Sequence, residues 1–337
     1  MLTDYWYIAC PTGRLRGKPI VVNLLSRNIV LFRDADGLPV ALENRCAHRG
    51  MPLADGKVVG GRLQCSYHGW CYDRTGCVVH VPSQSFSDGC RNESAIRRYR
   101  CCEQDGYIWV CPGVEPRQET PQKFPFLGEH GWTSFRLYNR FEAPVESCLE
   151  NFLDCPHATF VHRSWFRSPT DREVRCRVSA LEDGAVAEYF DEPRERSLVW
   201  SLLSPQQGGM QHSDRFIAPA MSRVDYVFSE DRHYTITSSC TPVNDVLTDV
   251  YTVVTFRYRK IGALLRLVFE PLSRKIIAQD VRTLRKQQRN LAKYERSEFR
   301  IIEQDVLLPH IRRWRNALSE GRVPAVRTEP YDVRIVI

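Results

Sequence analysis

The hydrophobic and polar positions along the chain predict a β-rich first part, a mixed middle and a helical end. Short β-branched runs and a turn at residues 34–37 predict strands and a hairpin before residue 112. A proline-containing stretch at 112–125 predicts a linker, and residues 142–162 predict helix. Residues 271–318 also predict helix. Between these helices, strands are predicted at 185–190, 197–203, 223–229, 233–240 and 250–258.

Length, composition and charge exclude several classes of protein. The chain has 337 residues, which predicts two domains or three. With 43% hydrophobic and 26% charged residues it has enough apolar surface to fold, so a disordered chain is excluded. The net charge of +7, from 47 basic and 40 acidic residues, is too small and too dispersed to predict binding to nucleic acid.

No segment has the features of an export signal or a membrane span. The N-terminus carries Asp4 and no basic region, and the apolar run at 261–269 is too short to cross a bilayer. We therefore expect a cytoplasmic protein without a membrane partner. In that location most of the 13 cysteines are expected to be free thiols or metal ligands rather than disulfides.

Two short Cys/His clamps form the first metal motif. Cys46 and His48 are followed after 16 residues by Cys65 and His68, and each clamp lies where a predicted strand ends. Two thiolates suit one iron and two imidazoles suit the other iron of a Rieske [2Fe–2S] cluster. Zinc accepts the same ligand set, but a zinc finger places both cysteines in one clamp and both histidines in the other. The mixed clamps therefore favour the cluster.

These clamps resemble the Rieske domain of Rieske non-haem iron oxygenases. Respiratory Rieske proteins carry an additional cysteine in each clamp, which this sequence lacks, and a serine where Trp70 stands here. The resemblance implies fewer hydrogen bonds to the cluster and a reduction potential toward the low end of the Rieske range. Cys71 and Cys77 lie outside the pattern and are interpreted as packing thiols.

A second metal motif lies in the predicted helix after the linker. It contains Asn151, Asp154, His157 and His162. Two imidazoles and a carboxylate on one face of Fe(II) form a facial triad that leaves positions open for O₂. The histidines are five residues apart, so both face one metal only if the helix distorts between them, and Pro156 is the expected point of distortion. The Asp154 side chain is expected to accept a hydrogen bond from the His157 ring.

The third ligand is predicted on the late helix. Asp280 is favoured because apolar residues three and four positions before it and four positions after it put it on an apolar stripe. A bare carboxylate there would be costly unless it bound something. Asp305 has similar neighbours and is the alternative, but the pair Gln287 and Gln288 follows Asp280 only.

The second motif also resembles that of the Rieske oxygenases, and the resemblance implies a fold and partners. It implies an α+β architecture, with an N-terminal β Rieske domain at 1–115 and a catalytic domain at 116–337. In the catalytic domain an antiparallel sheet wraps a C-terminal helix, a helix-grip fold similar to that of START domains. It also implies a homotrimer, in which Asp154 bridges to His68 of the partner subunit. Asn151 and Asp154 are thereby assigned to the catalytic machinery.

The resemblance further implies a terminal oxygenase that uses O₂ and electrons from NAD(P)H. No dinucleotide or flavin motif occurs in the chain, so a separate reductase, with or without a ferredoxin, must supply the electrons. The chain length and the two residues between Asn151 and Asp154 are similar to the monooxygenase and demethylase members. Hydroxylation or demethylation of a small organic substrate, aromatic or heterocyclic, is therefore expected. Ring dihydroxylation, desaturation and oxidative cyclisation stay open, as do a Rieske electron carrier and a ligand-binding module.

Substrate contacts are harder to predict. Phe190, Trp200, Phe228 and Tyr234 could line a pocket or belong to the ordinary core. His212 and His233 have no partner pattern and are interpreted as surface or satisfied core residues.

Overall fold

The computed structural model describes two compact units, Thr3–Lys123 and Phe124–Ile337. No helix within the described part of the chain is long and apolar enough to cross a membrane. The described residues are 1–82, 95–162, 173–190, 210–258, 261–294, 299–325 and 329–336.

The first unit consists of two antiparallel sheets. Six strands form one sheet in the order β1-β10-β9-β4-β3-β2, and four form the other in the order β5-β6-β7-β8. β10 is a continuous buried run that pairs on both sides, as its all-apolar sequence predicts. The strands are β1 Tyr7–Pro11, β2 Ile20–Leu24, β3 Arg27–Arg33, β4 Pro39–Glu43, β5 Lys57–Val59, β6 Arg62–Gln64, β7 Cys71–Tyr72, β8 Val78–His80, β9 Arg98–Gln104 and β10 Tyr107–Cys111.

The cysteines of this unit correct one expectation. Cys71 is a buried free thiol, in agreement with its interpretation as a packing residue. Cys77, interpreted in the same way, is disulfide-bonded instead. The sequence gives no sign of this, since disulfide connectivity depends on which cysteines the fold brings together.

The second unit is an eight-stranded antiparallel sheet with helices. Its strand order is β11-β17-β16-β15-β14-β13-β12-β18, so the last strand returns to pair with β12 at one edge. The elements are β11 Thr133–Phe141, α1 Val145–Leu153, α2 His157–Val161, β12 Glu173–Leu181, β13 Gly184–Phe190, β14 Gln211–Ile217, β15 Met221–Ser229, β16 Arg232–Asn244, β17 Leu247–Tyr258, α3 Gly262–Leu291, α4 Leu308–Ser319 and β18 Tyr331–Val336.

The sheet and the helices enclose a cavity, and the two-residue period of the strands determines which side chains line it. Alternate side chains of β14 to β17, from Asp214 to Val254, point to one face and line the cavity. α3 covers this face with Phe269 and Leu272, two of its buried residues. The predicted fold class, an antiparallel sheet around a late helix, is confirmed.

The structure differs from the predicted elements at several places. The single helix predicted at 271–318 corresponds to two helices in the structure. α3 begins at Gly262 and ends at Leu291, and α4 begins at Leu308. Strands β11, β12, β14 and β18 are not predicted. The sequence does contain a signal for β12, because exposed and buried residues alternate from Glu173 to Val178, as in a half-buried strand. The predicted strand at 197–203 and the pocket candidate Trp200 lie outside the described residues.

Candidate metal centres

The two clamps lie in loops beside the four-stranded sheet of the first unit. The loop after β4 carries Cys46 and His48, and the loop after β6 carries Cys65 and His68. Both cysteines are buried in the hydrophobic core, where each is 3% exposed. The two imidazole rings meet edge to face, with 4.5 Å between their centroids. The structure thus brings the four predicted cluster ligands together, with the sulfurs inside and the imidazoles outward.

Backbone and tyrosine hydrogen bonds hold this arrangement. The Trp70 carbonyl accepts a hydrogen bond from the Cys65 N–H at 2.9 Å. The Tyr72 hydroxyl accepts one from the Ala47 N–H at 2.9 Å, and its own hydrogen is free to point to Cys46 Sγ at 3.2 Å. A hydrogen bond to a ligand sulfur raises the reduction potential of a cluster. Sequence analysis missed Tyr72, because it lies outside both clamps.

The imidazoles of this site fit a cluster. His48 stacks on the Trp70 ring at 4.8 Å and 2°, which fixes its plane. His48 Nδ1 is buried without a hydrogen-bond partner among the described residues. A buried ring nitrogen without a partner is costly, and a metal bond removes that cost. The residues present are therefore suited to a [2Fe–2S] cluster.

In the second unit, His157, His162 and Asp280 converge. Asp280 Oδ1 lies 3.2 Å from His162 Nε2 and 3.6 Å from His157 Nε2. The three ligand atoms lie within 4.8 Å of one another. Burial raises the pKa of Asp280, but the two neighbouring imidazoles outweigh burial and lower the pKa overall. Two imidazoles and one carboxylate at this spacing are the donor set of a non-haem iron site.

The helix break that this arrangement needs is not where the sequence suggests. Pro156 stands just before α2, and His157 is the first residue of that helix. α2 ends at Val161, so His162 leaves helical geometry with φ −104° and ψ 27°. The two imidazoles therefore turn toward one point from the two ends of a five-residue helix.

Hydrogen bonds at Nδ1 orient both histidines for metal binding. His162 Nδ1–H donates to Gln279 Oε1 at 2.8 Å, and His157 Nδ1–H donates to the backbone carbonyl of Asp154. In the neutral rings these bonds place the proton on Nδ1 and turn Nε2 toward Asp280, as metal ligation requires. Asp280 Oδ1 is buried without a hydrogen bond from any described group, and this environment suits a carboxylate oxygen that binds a cation.

The role of Asp154 differs from the expected side-chain contact. Its carboxylate oxygen Oδ2 lies 4.0 Å from His157 Nδ1, and the backbone carbonyl accepts the hydrogen bond instead. The side chain is 38% exposed and faces both the cavity and solvent. Asp305, the alternative third ligand, does not join the triad; its Oδ2 accepts a hydrogen bond from the Ile302 N–H at 2.9 Å.

The triad opens into a cavity of about 150 Å³. Asn151 lines this cavity, and its Oδ1 is buried without a partner among the described residues. Tyr234 also lines it, whereas Phe190 and Phe228 are not among the described lining residues. Most of the wall is apolar or aromatic: Leu137, Phe152, Val224, Tyr226, Ile236 and Phe269 are examples.

Comparison with known proteins assigns the two regions that contain these sites to known domain families. Residues 5–93 match the Rieske [2Fe–2S] domain, and residues 141–321 match the vanillate O-demethylase oxygenase C-terminal domain, which is more than half of the chain. The chain belongs to the Rieske oxygenase family. This Rieske oxygenase has two metal motifs, and each matched region contains one of them.

Individual relatives support the same family, and a solved structure shows the same fold. Aminopyrrolnitrin oxygenase from Pseudomonas fluorescens is 33% identical over 79% of this chain and 77% of its own length. The oxygenase component of dicamba O-demethylase from Stenotrophomonas maltophilia is 34% identical over 56% of this chain and 55% of its own. The crystal structure of dicamba monooxygenase with 3,6-dichlorosalicylic acid has the same fold, with a TM-score of 0.82 at 21% identity over 95% of this chain and 98% of that one.

The matches to relatives are partial in length. The chain spans between a quarter and just over half of the first curated relatives that it matches. Two features of this Rieske oxygenase were not predicted from its sequence. Gln279 holds His162, and His212 with Asp214 forms a buried pair at the cavity wall. The position of Gln279 directly before Asp280 is the one sequence signal that could have indicated the role of Gln279.

Proposed function

We propose that this chain is the terminal oxygenase component of a monooxygenase system. It would use O₂ and electrons from NAD(P)H to hydroxylate or oxidatively demethylate a small aromatic or heterocyclic substrate. The convergence of His157, His162 and Asp280 on one wall of an apolar cavity supports this most directly. The relatives whose names describe O-demethylation and oxygenation support the same reaction class.

Each residue of the second site has a role in this proposal. His157, His162 and Asp280 would hold Fe(II), which supplies the capacity to activate O₂ at its open coordination positions. Gln279 and the Asp154 carbonyl keep the Nδ1 protons on the outer side of the two rings. The apolar wall orients the substrate and excludes bulk water from the reacting atoms. Asn151 offers its buried amide oxygen to the cavity.

Electrons would enter through the cluster held by Cys46, Cys65, His48 and His68. The side chain of His68 is exposed and that of Asp154 is partly exposed, so each can be reached from another molecule. We infer a homotrimer in which Asp154 connects to His68 of the partner subunit. A reductase, with or without a ferredoxin, would reduce the cluster. The domain boundary at 115/116 and a cytoplasmic location also stay predictions.

A turnover assay tests the proposed reaction. The iron-loaded protein is combined with a surrogate flavin reductase, NADH and methoxy-substituted aromatic compounds, and O₂ uptake and formaldehyde are measured. Formaldehyde formed in proportion to O₂ would support demethylation, and a hydroxylated product would support hydroxylation. O₂ consumed without any oxidised organic product across a broad panel of compounds would contradict the proposal.

An electron carrier is the main alternative from a different class. An electron carrier would need only a cluster such as the first unit can hold. It would have no use for a buried His₂–carboxylate site beside a cavity. Anaerobic iron and sulfide analysis separates the two. Two irons and two sulfides after reconstitution with Fe(II) would favour the carrier, and a third iron would favour the oxygenase.

A further inference from the structure

A buried His–Asp pair forms part of the cavity wall away from the ligand set. His212 and Asp214 are alternate residues of β14, so their side chains point to the same face of the sheet. Each is 3% exposed, and His212 Nε2 lies 3.1 Å from Asp214 Oδ1. Neither belongs to the proposed iron ligands, and both line the cavity. The pair is thus a polar element in a wall that is otherwise mostly apolar.

Two tyrosine rings hold the imidazole in place. Tyr189 of β13 and Tyr226 of β15 are the cross-strand neighbours of His212. Both rings stack on the imidazole, with centroids 4.5 Å away and planes within 18°. The imidazole cannot rotate without breaking both stacks. His212 therefore presents Nε2 to Asp214 in a fixed geometry.

The charges around the cavity favour a hydrogen-bond donor over an anion. The described residues that line it include no lysine or arginine. Its carboxylates are Asp280 at the proposed iron, the partly exposed Asp154, and Asp214. A substrate carboxylate beside the buried Asp214 would bring two negative charges together in a desolvated wall. An N–H or O–H group would instead donate to this carboxylate, and hydrogen bonds to charged groups are the stronger ones.

We propose that the His212–Asp214 pair selects substrates that carry an N–H or O–H donor on a single aromatic ring, and selects against carboxylates. Because it names the substrate class of the same cavity, the assignment rests on the proposed function. The volume supports one ring, since a cavity of about 150 Å³ in another protein admits benzene. Asp214 accepts the donor, and His212 positions that carboxylate.

Binding to the unmodified protein is the first test. Fe(II)-loaded protein is titrated anaerobically by calorimetry with 4-methoxyaniline, anisole and 4-methoxybenzoate. These probes share one ring and one methoxy group and differ only in the second substituent. We expect 4-methoxyaniline to bind roughly tenfold or more tightly than either of the others. Equal binding of anisole, equal or tighter binding of the benzoate, or no binding of any probe at millimolar concentration would overturn the assignment.

Two matched variants then locate the effect. Asp214→Asn keeps the shape of the side chain and removes its charge, so the preference for 4-methoxyaniline over 4-methoxybenzoate should fall about tenfold. Asp225→Asn is the control, because Asp225 pairs with His233 at 3.0 Å but does not line the cavity. Its preference should stay within twofold of the unmodified protein. A preference that falls equally in both variants would contradict the proposal.

The measurements separate this assignment from the proposed reaction. Binding is read without O₂ and without a reductase, so it is independent of turnover. The expected preference without any turnover would count against the oxygenase proposal alone. Turnover of 4-methoxybenzoate at least as efficient as that of 4-methoxyaniline would count against the role of Asp214 alone. If Asp214→Asn does not fold, the three-probe comparison on the unmodified protein decides the question.

Discussion

At the residue scale, the proposed metal ligands could be picked out from the sequence, whereas the residues that orient them could not. The six Cys and His residues of the clamps and the second motif stand at short fixed spacings, which a metal imposes on the chain. Asp280 could be predicted from a second signal, the presence of a carboxylate on an apolar stripe. Gln279 and the pair His212–Asp214 carry no such signal, because their partners are residues brought close only by the fold.

The first residue-scale prediction concerns Asp154. Since its backbone carbonyl holds His157, Asp154→Asn should leave both metals bound. Loss of the carboxylate should slow electron transfer to the second site by about 10–100-fold. Stopped-flow reoxidation of the reduced cluster in the presence of substrate and O₂ measures this rate. An unchanged rate, or loss of the mononuclear iron, would contradict the role assigned to this side chain.

The second residue-scale prediction concerns Gln279. Gln279→Leu removes the acceptor of the His162 Nδ1–H, which frees that ring to rotate or change tautomer. Fe(II) affinity should fall about 10–100-fold, as measured by anaerobic titration of the metal-free second site. Gln288→Leu is the control on the same helix, because Gln288 contacts Ser147 instead. Equal losses in the two variants would show a general effect on α3.

At the element scale, β15, β16 and β17 and the two helical regions were predicted, and the breaks between elements were not. α3 begins nine residues before the predicted start at 271, and Pro271 lies inside it. A proline usually marks a helix boundary, but packing of α3 on the sheet stabilises the helix on both sides of it. The ends of α2, which turn the two histidines together, also depend on tertiary contacts.

The β5–β6 hairpin gives a prediction at this scale, because it leads directly into the second clamp. Gly60 and Gly61 form its turn with φ of +56° and +74°. A Cβ on Gly61 would lie 2.1 Å from the Ala35 backbone nitrogen, whereas one on Gly60 would meet nothing within 4 Å. Gly61→Ala should therefore cost about 2–3 kcal/mol and Gly60→Ala about 1 kcal/mol. Urea unfolding, followed by the visible absorbance of the cluster, measures both, and equal losses would contradict the close contact.

At the scale of the whole molecule, each compact unit contains one of the two proposed ligand sets. The four cluster residues lie within Thr3–Lys123, and the triad lies within Phe124–Ile337. Two metal motifs in one sequence, in the order of the two matched domains, made the architecture predictable from short motifs alone. The cavity wall was not predictable, because it depends on which faces of five strands turn inward.

This separation leads to a prediction about metal content. Asp280→Ala should lose the mononuclear iron and keep the cluster, and so contain about two irons and two sulfides, whereas the unmodified protein should contain about three irons. The EPR spectrum of the reduced cluster should be unchanged, since its ligands lie in the other unit. Asp305→Ala is the matched control, because Asp305 supports a local turn and should leave all three irons in place. Three irons in Asp280→Ala would remove Asp280 from the ligand set, because the carboxylate would then come from elsewhere. Two irons in Asp305→Ala would contradict the specificity of the Asp280 result, because the iron would then be lost without loss of a ligand.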